Sequence, residues 1–185
     1  MPITNLTYGS IYAVPSESPR QSIEHQFSIS SLKIDYGRPA VKGRTIFGEL
    51  VPFGEIWRAG ANAATKFTTD QKIRFGGKII SAGEYALFAI PQPTEWKVIL
   101  NRKANNWGSH NYDETQNVAS ISVPVEKLAD TKEYFEIRFE PISDFSILLI
   151  ISWENTKVEV PIEVYNKDNV LKVSEMLQEI KKLTK

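Results

Sequence analysis

Residues 22–36, SIEHQFSISSLKIDY, alternate apolar and polar side chains in two successive runs. Ile23 and Phe27 belong to the first run, and Leu32 and Ile34 belong to the second, which follows a Ser-Ser step. A period of two is the period of a β-strand with one buried face. The stretch therefore predicts an antiparallel β-hairpin.

The same strand period continues along most of the chain. Gly76-Gly77 is a two-residue hairpin turn, and strand 84–90 has so few polar positions that we expect burial on both of its faces. Further strands are predicted at 65–69, 72–75, 78–80, 96–100, 117–123, 134–139, 145–153 and 157–164. Many short strands at this spacing predict an all-β fold, an antiparallel β-sandwich that is jelly-roll-like or barrel-like.

The two ends of the chain differ from this pattern. Residues 1–21 are rich in Pro, Ser and Thr and predict an extended or disordered lead before a β domain at 22–165. Residues 166–185 change to helical spacing and predict one C-terminal amphipathic α-helix. Its apolar stripe either packs on the end or open face of the sandwich or forms a homodimer or partner surface.

Composition excludes several functional classes. The chain has 22 basic and 22 acidic side chains, so we expect no nucleic-acid partner. It has no cysteine, which excludes thiol catalysis and disulfides. No run reaches the roughly 18 apolar residues of a membrane span, so the protein is expected not to cross a membrane. The absence of phosphate-loop, dinucleotide and zinc-protease motifs leads us to expect no cofactor and no metal.

The connection IDYGRPAVKGRTIFGELVPFGEIWRAGANAATKF, residues 34–67, is the first candidate site. Three guanidinium groups, Arg38, Arg44 and Arg58, could converge on a carboxylate or phosphate, which arginine binds bidentately. The alternative is that they tie down a long loop by bonding backbone carbonyls and stacking on Trp57 or its aromatic neighbours.

Asn62 and Trp57 in this connection leave similar alternatives. The Asn62 amide is a candidate for orienting a ligand, but an asparagine beside glycine more often completes a turn. The Trp57 ring is a candidate ligand surface or a stacking partner for the arginines.

The loop NRKANNWGSHNYDET, residues 101–115, is the second candidate site. Trp107 and Tyr112 are candidate ligand contacts, because an aromatic face suits a sugar ring while amides and carboxylates bond its hydroxyls. His110, oriented by Asp113, is the candidate catalytic pair for proton transfer. A lone loop histidine is more often structural, so that alternative stays open. We expect this loop to lie at the same end of the sandwich as the first connection.

Four separated motifs in this order carry a resemblance to a known family. They are residues 36–67, then AGEYALFAIP, WKVILN and NWGSHNYD, within a similarity from about Gln21 to about Val164. The chain resembles the bacterial family catalogued as domain of unknown function 2911. The resemblance implies a mostly β bacterial domain whose members are often exported, and it implies no known reaction. We therefore expect a periplasmic or extracellular protein if an export signal was trimmed, and a cytoplasmic one otherwise.

The functional hypothesis is a non-catalytic module that binds a small ligand, either a saccharide or a carboxylated metabolite. It is motivated by aromatic, arginine and asparagine side chains without a nucleophile or a metal-ligand set. One alternative is a hydrolase or isomerase that uses His110 and Asp113 with the arginines as anion stabilisers. The other is a structural or protein-interaction domain that uses the C-terminal helix.

Overall fold

A computed structural model describes residues 16–184 of the chain. Within these residues ten strands are followed by one helix, with a short 3₁₀ turn at Glu114–Gln116. The strands are β1 (Arg20–Phe27), β2 (Ser30–Gly37), β3 (Thr65–Thr69), β4 (Ile73–Phe75), β5 (Lys78–Ile80), β6 (Gly83–Pro91), β7 (Glu95–Asn101), β8 (Asn117–Pro124), β9 (Glu126–Ser143) and β10 (Ser146–Val164). The helix is α1 (Lys167–Leu183).

The strands form two antiparallel sheets. The larger has the order β1-β2-β3-β6-β7-β8, and the smaller has the order β5-β4-β10-β9. The predicted all-β sandwich with one C-terminal helix is confirmed. Within residues 16–184 both sheets keep open edges, so the barrel-like variant is not the observed one.

The core lies between the two sheets. Leu32 and Ile34 of β2 are fully buried and belong to the same apolar cluster as Phe75 and Ile151 of the smaller sheet. The alternation that predicted the first hairpin therefore places one face of β2 in the core. That hairpin is present, with Phe27 paired to Ser30 across a two-residue loop.

Strand β6 is buried on both faces, as its sequence predicted. Leu87 packs into the main core, whereas Phe88 on the opposite face belongs to a second cluster. Ile56 and Tyr112 cover that second cluster, so both long connections pack on the outer face of the large sheet.

Two strands differ from the predicted ones by more than two residues. β9 begins at Glu126 rather than 134, because its first half lies at a sheet edge where charged side chains are exposed and hide the alternation. β10 is one strand where two were predicted. The irregularity is local: the pairing register with β9 shifts around Glu154, whose φ is +53°.

The first strand begins at Arg20, inside the segment predicted as a lead. The rest of that prediction, for residues 1–15, lies outside the described residues. The predicted helix is present, and the Asn166 side chain caps it by accepting a hydrogen bond from the Asn169 N–H at 3.1 Å. Val170 is its single buried residue within the described chain, so the helix adds little to the core. The homodimer through this helix stays a prediction.

Candidate functional site

The connection between β2 and β3, residues 38–64, is built from tight turns rather than regular structure. Lys42, Ala59 and Asn62 have φ values of +49°, +48° and +65°. Side chains other than glycine rarely adopt this left-handed conformation, and each instance costs of the order of 1–2 kcal/mol. Their surroundings must therefore hold these turns in place.

Backbone hydrogen bonds attach the connection to both sheets. The Trp57 N–H donates to the Ala89 carbonyl and the Ala89 N–H donates to the Trp57 carbonyl, both at 2.8 Å, which extends the ladder of β6 beyond the end of β3. On the other sheet, the Val41 N–H donates to the Glu133 carbonyl at 2.7 Å. The Thr65 hydroxyl donates to the Ala59 carbonyl at 2.6 Å and fixes the left-handed turn.

Trp57 lies at the centre of a buried aromatic cluster. Its ring stacks on Trp153 with centroids 6.1 Å apart and an interplanar angle of 18°, and it meets Phe135, Trp96 and Phe47 edge-on. Its indole N–H donates to the Gly60 carbonyl at 3.1 Å. Trp57 is thus mainly a core residue that fixes the fold of the connection.

A cavity of about 310 Å³ opens above this cluster, and we call it the arginine cavity. Three cationic side chains line it, together with one carboxylate, Glu17, which pairs with Lys42 at 3.5 Å. The lining residues are Glu17, Ser18, Pro39, Ala40, Lys42, Arg44, Leu50, Val51, Trp57, Arg58, Gly60, Ala61, Asn62 and Trp153. Positive charge over an aromatic floor favours an anion with an apolar portion.

Two lining residues carry buried N–H donors without an acceptor among residues 16–184. They are the Nε of Arg58 and the Nε1 of Trp153, a side chain that is only 1% exposed. Burial lowers the pKa of the Arg58 guanidinium, and no carboxylate of the described chain lies within ion-pair distance of it. A buried donor without a partner costs about 1–3 kcal/mol, more when it is charged. Both side chains belong to the lining of the arginine cavity, so an acceptor that reached these two atoms would remove that cost.

The sequence profile of the family described as protein of unknown function, DUF2911, matches residues 18–162. The chain belongs to this family. The predicted resemblance is confirmed, and every residue lining the arginine cavity except Glu17 lies within the matched range. No curated protein and no solved structure matches the chain. The family description states no activity, so the function of this DUF2911 domain has to be argued from its geometry.

The three arginines expected to converge are not all together. Arg44 and Arg58 line the arginine cavity, but Arg38 does not. The Arg38 Nε donates to the Phe135 carbonyl at 3.3 Å and its guanidinium lies 5.5 Å from the Tyr134 ring centroid. Arg38 therefore does what the alternative interpretation expected, by tying the connection to a neighbouring strand.

Arg44 bonds backbone carbonyls and also lines the cavity, so it fits both the structural and the ligand-binding interpretation. Its Nε donates to the Val41 carbonyl at 3.0 Å and its Nη2 to the Ala40 carbonyl at 2.6 Å, which closes the turn that contains Lys42. A guanidinium has five N–H donors, so Arg44 keeps others for a ligand. Asn62 also lines the cavity, from an exposed left-handed turn.

The structure does not bring His110 and Asp113 together as a catalytic pair. The Asp113 carboxylate accepts hydrogen bonds from the Thr115 hydroxyl at 2.6 Å and the Thr115 N–H, and pairs with Lys103 at 3.1 Å. These hydrogen bonds from Thr115 and Lys103 lower the pKa of Asp113. His110 is exposed and does not line the arginine cavity. Asp113 caps the 3₁₀ turn instead of orienting His110.

The other two candidates of the second loop have separate roles. Tyr112 packs edge-on against Phe88, and its hydroxyl accepts a hydrogen bond from the Asn117 amide at 2.8 Å. Trp107 is 70% exposed and lines a different cavity. The two long connections do meet, because Ala63 pairs with Trp107 in an antiparallel bridge.

Trp153 and Glu17 line the arginine cavity but were not predicted from the sequence. A tryptophan in an alternating strand has the pattern of an ordinary core residue, and nothing in the sequence indicates that its N–H lacks an acceptor. Among the lining residues outside the candidate set, Lys42 could have been predicted, because it lies between the candidates Arg38 and Arg44 in the sequence.

No helix within residues 16–184 combines the length and apolarity that spanning a membrane requires. In the same part of the chain, His, Asp and Glu side chains form no group of three that could hold a metal ion.

Proposed function

We propose that this protein is a non-catalytic module that binds a small carboxylated metabolite in the arginine cavity. The observation that carries the proposal is that two residues lining one cationic cavity, Arg58 and Trp153, each have a buried donor without an acceptor among residues 16–184. Native proteins rarely leave such donors unpaired without a reason such as binding or catalysis.

A carboxylate matches these donors better than a neutral acceptor does. Arginine bonds to carboxylate are charge-assisted and roughly twice as strong as bonds between neutral groups. Lys42 and Arg44 add positive charge at the same cavity, and the single carboxylate that the described part of the chain places there, Glu17, pairs with Lys42. The volume of about 310 Å³ lies at the small end of ligand sites and suits a metabolite rather than a polymer.

The binding interpretation is favoured over the enzymatic alternative by what lines the cavity. Among residues 16–184 the lining contains no histidine, cysteine or tyrosine, and its only carboxylate is engaged by a lysine. The expected proton-transfer residues His110 and Asp113 lie elsewhere. A hydrolase or isomerase needs a positioned acid or base, so a binding role fits this set of side chains better.

A thermal-shift titration tests the proposal, with succinate, malate, citrate and benzoate as probes and the uncharged diamide of succinic acid as control. A ligand that binds only the folded state raises the melting temperature by mass action. We expect at least one carboxylate to raise it and the diamide to have no effect.

Variants then locate the site. Arg58→Gln removes the buried charge and should weaken carboxylate binding at least tenfold, since a charge-assisted bond is worth about 1.5–3 kcal/mol. Arg74→Gln is the matched control. Arg74 is also half-buried, but it lies in β4, outside the cavity, and stacks on Tyr165. Equal weakening in both variants, or no shift with any carboxylate, would refute the proposal.

A further inference from the structure

A second cavity of about 330 Å³ lies beside the second loop, and we call it the tryptophan cavity. It is lined by Arg20, Asp35, Ala63, Ala64, Lys66, Ala104, Asn105, Asn106 and Trp107. Consecutive residues line the two cavities: Ala61 and Asn62 line the arginine cavity, and Ala63 and Ala64 line the tryptophan cavity. We propose that the tryptophan cavity binds a neutral hydroxylated ring, that is, one pyranose residue of a saccharide.

The exposure of Trp107 is the first observation. Its side chain is 70% exposed, whereas Trp57, Trp96 and Trp153 are between 1% and 7% exposed. A large aromatic ring that is mostly exposed to water does not contribute to core packing. Its flat apolar face suits the C–H face of a sugar ring.

The backbone that carries this ring is held firmly. Trp107 pairs with Ala63, the Ala64 N–H donates to the Asn106 carbonyl at 2.9 Å, and the Gly108 N–H donates to the Asn62 carbonyl at 3.1 Å. Binding to a pre-organised surface loses little conformational entropy. The exposed ring is thus a fixed platform and not the tip of an unattached loop.

The second observation is an orphaned amide. Asn106 is 9% exposed, yet its Nδ2 is buried without an acceptor among residues 16–184. An amide needs acceptors, and a sugar hydroxyl can accept from it while donating elsewhere. Asn106 and Trp107 are adjacent and both line the cavity, so a ligand bound there lies beside both side chains.

The charges of this cavity cancel, in contrast to those of the arginine cavity. Arg20 forms an ion pair with Asp35, and its two terminal nitrogens donate to the carbonyls of Ala63, Ala64 and Asp35 itself. Lys66 pairs with Glu84 at 3.1 Å. Both cations are therefore compensated, which disfavours an anionic ligand.

Asp35 supplies the matching acceptor. Its Oδ1 accepts the Arg20 hydrogen bond, and its Oδ2 has no hydrogen-bond donor among the described residues. A carboxylate oxygen is a strong acceptor for a sugar hydroxyl. An apolar face, an amide donor and a carboxylate acceptor together form the set that a pyranose requires.

The test follows the indole N–H signal of Trp107 by ¹H–¹⁵N NMR during titration. The probes are methyl glucoside, methyl galactoside, methyl mannoside and N-acetylglucosamine at millimolar concentration, with adenosine as a different flat ligand. We expect at least one glycoside to shift this signal in a saturable manner. No shift with any of the four sugars, or a shift with adenosine alone, would overturn the proposal.

Three variants separate binding from folding. Trp107→Ala should weaken glycoside binding at least tenfold, and Tyr134→Ala, which removes another exposed aromatic side chain, should leave it unchanged. Asn106→Leu should weaken binding at least fivefold without lowering the melting temperature, because it removes an unpaired buried donor. A lowered melting temperature with unchanged glycoside affinity would make Asn106 structural and overturn its role.

Arg58→Gln keeps this inference distinct from the proposed function. It should leave glycoside affinity unchanged, while Trp107→Ala should leave carboxylate affinity unchanged. If one variant abolished both kinds of binding with the fold intact, a separate saccharide site would be refuted.

Discussion

The irregular connection at residues 38–64 contributes more side chains to the core than the regular helix α1 does. The connection has no regular strand among its residues, yet it buries Val41, Phe47 and Trp57 in the core. The helix has regular hydrogen bonds over Lys167–Leu183 and buries only Val170. Regular backbone structure and participation in the core are therefore separate properties of a segment.

The physical reason is where each segment finds its partners. Backbone groups of the connection bond to strands of both sheets, which lets its aromatic side chains enter the core between them. A helix satisfies its own backbone, so it can form while its apolar side chains remain uncovered. On α1 the exposed apolar residues are Leu171, Val173, Met176, Leu177, Ile180 and Leu183.

The largest effect on this comparison is expected from Trp57→Ala. It removes the ring that packs against Trp153 and Phe135 and leaves the Gly60 carbonyl without its donor. We expect the free energy of unfolding to fall by about 3–5 kcal/mol in urea denaturation. Trp107→Ala is the control and should change it by less than about 0.5 kcal/mol. A loss at Trp57 as small as that expected at Trp107 would show that the connection is not part of the core.

A smaller effect is expected where the connection touches β2. A Cβ at Gly37 would lie 2.3 Å from the Ala61 carbonyl oxygen, a backbone atom that cannot rotate away. We expect Gly37→Ala to lower the free energy of unfolding by about 3 kcal/mol, the upper end for overpacking. Gly77→Ala meets no atom within 4 Å and has only the cost of its φ of +81°, about 1 kcal/mol. The two variants should differ clearly in urea denaturation, and equal losses would contradict a close approach at Gly37.

The smallest effect is expected on the helix. Leu177→Ala should change the free energy of unfolding by less than about 0.5 kcal/mol, because the side chain is 49% exposed. Val170→Ala, at the buried position, should lower it by roughly 1.5 kcal/mol through loss of two methyl groups. Urea denaturation at two protein concentrations, with sedimentation analysis, checks both. If Leu177→Ala lowered the free energy of unfolding as much as Val170→Ala, and more at the higher protein concentration, a second copy of the chain would be shown to cover the apolar face of α1.

The sequence predicted those parts of the fold whose side chains alternate against one buried face. The β1–β2 hairpin, the two-sided burial of β6 and the C-terminal helix are examples, because each pattern reflects local burial. The first half of β9 was missed since an edge strand needs no alternation. β10 was divided in two because the polar residues near Glu154 resemble a turn, although the strand continues through them.

The sequence indicated which residues are candidates for a site, but it did not indicate which of them lie together. Arg44, Arg58 and Asn62 line one cavity, while Trp107 lines another and Arg38 lines neither. The Asp113 carboxylate is engaged by Thr115 and Lys103 and has no hydrogen bond from His110 among the described residues. Sequence neighbours in a loop do not show which of them share a partner.

The sequence by itself determined the strand periods, the family and the stock of arginine and aromatic side chains, since these depend on local pattern. Only the tertiary structure decided which donors lack acceptors, as with Trp153 and Asn106. Whether a polar group is satisfied depends on atoms that are distant along the chain and meet it only when the two sheets and their connections pack together.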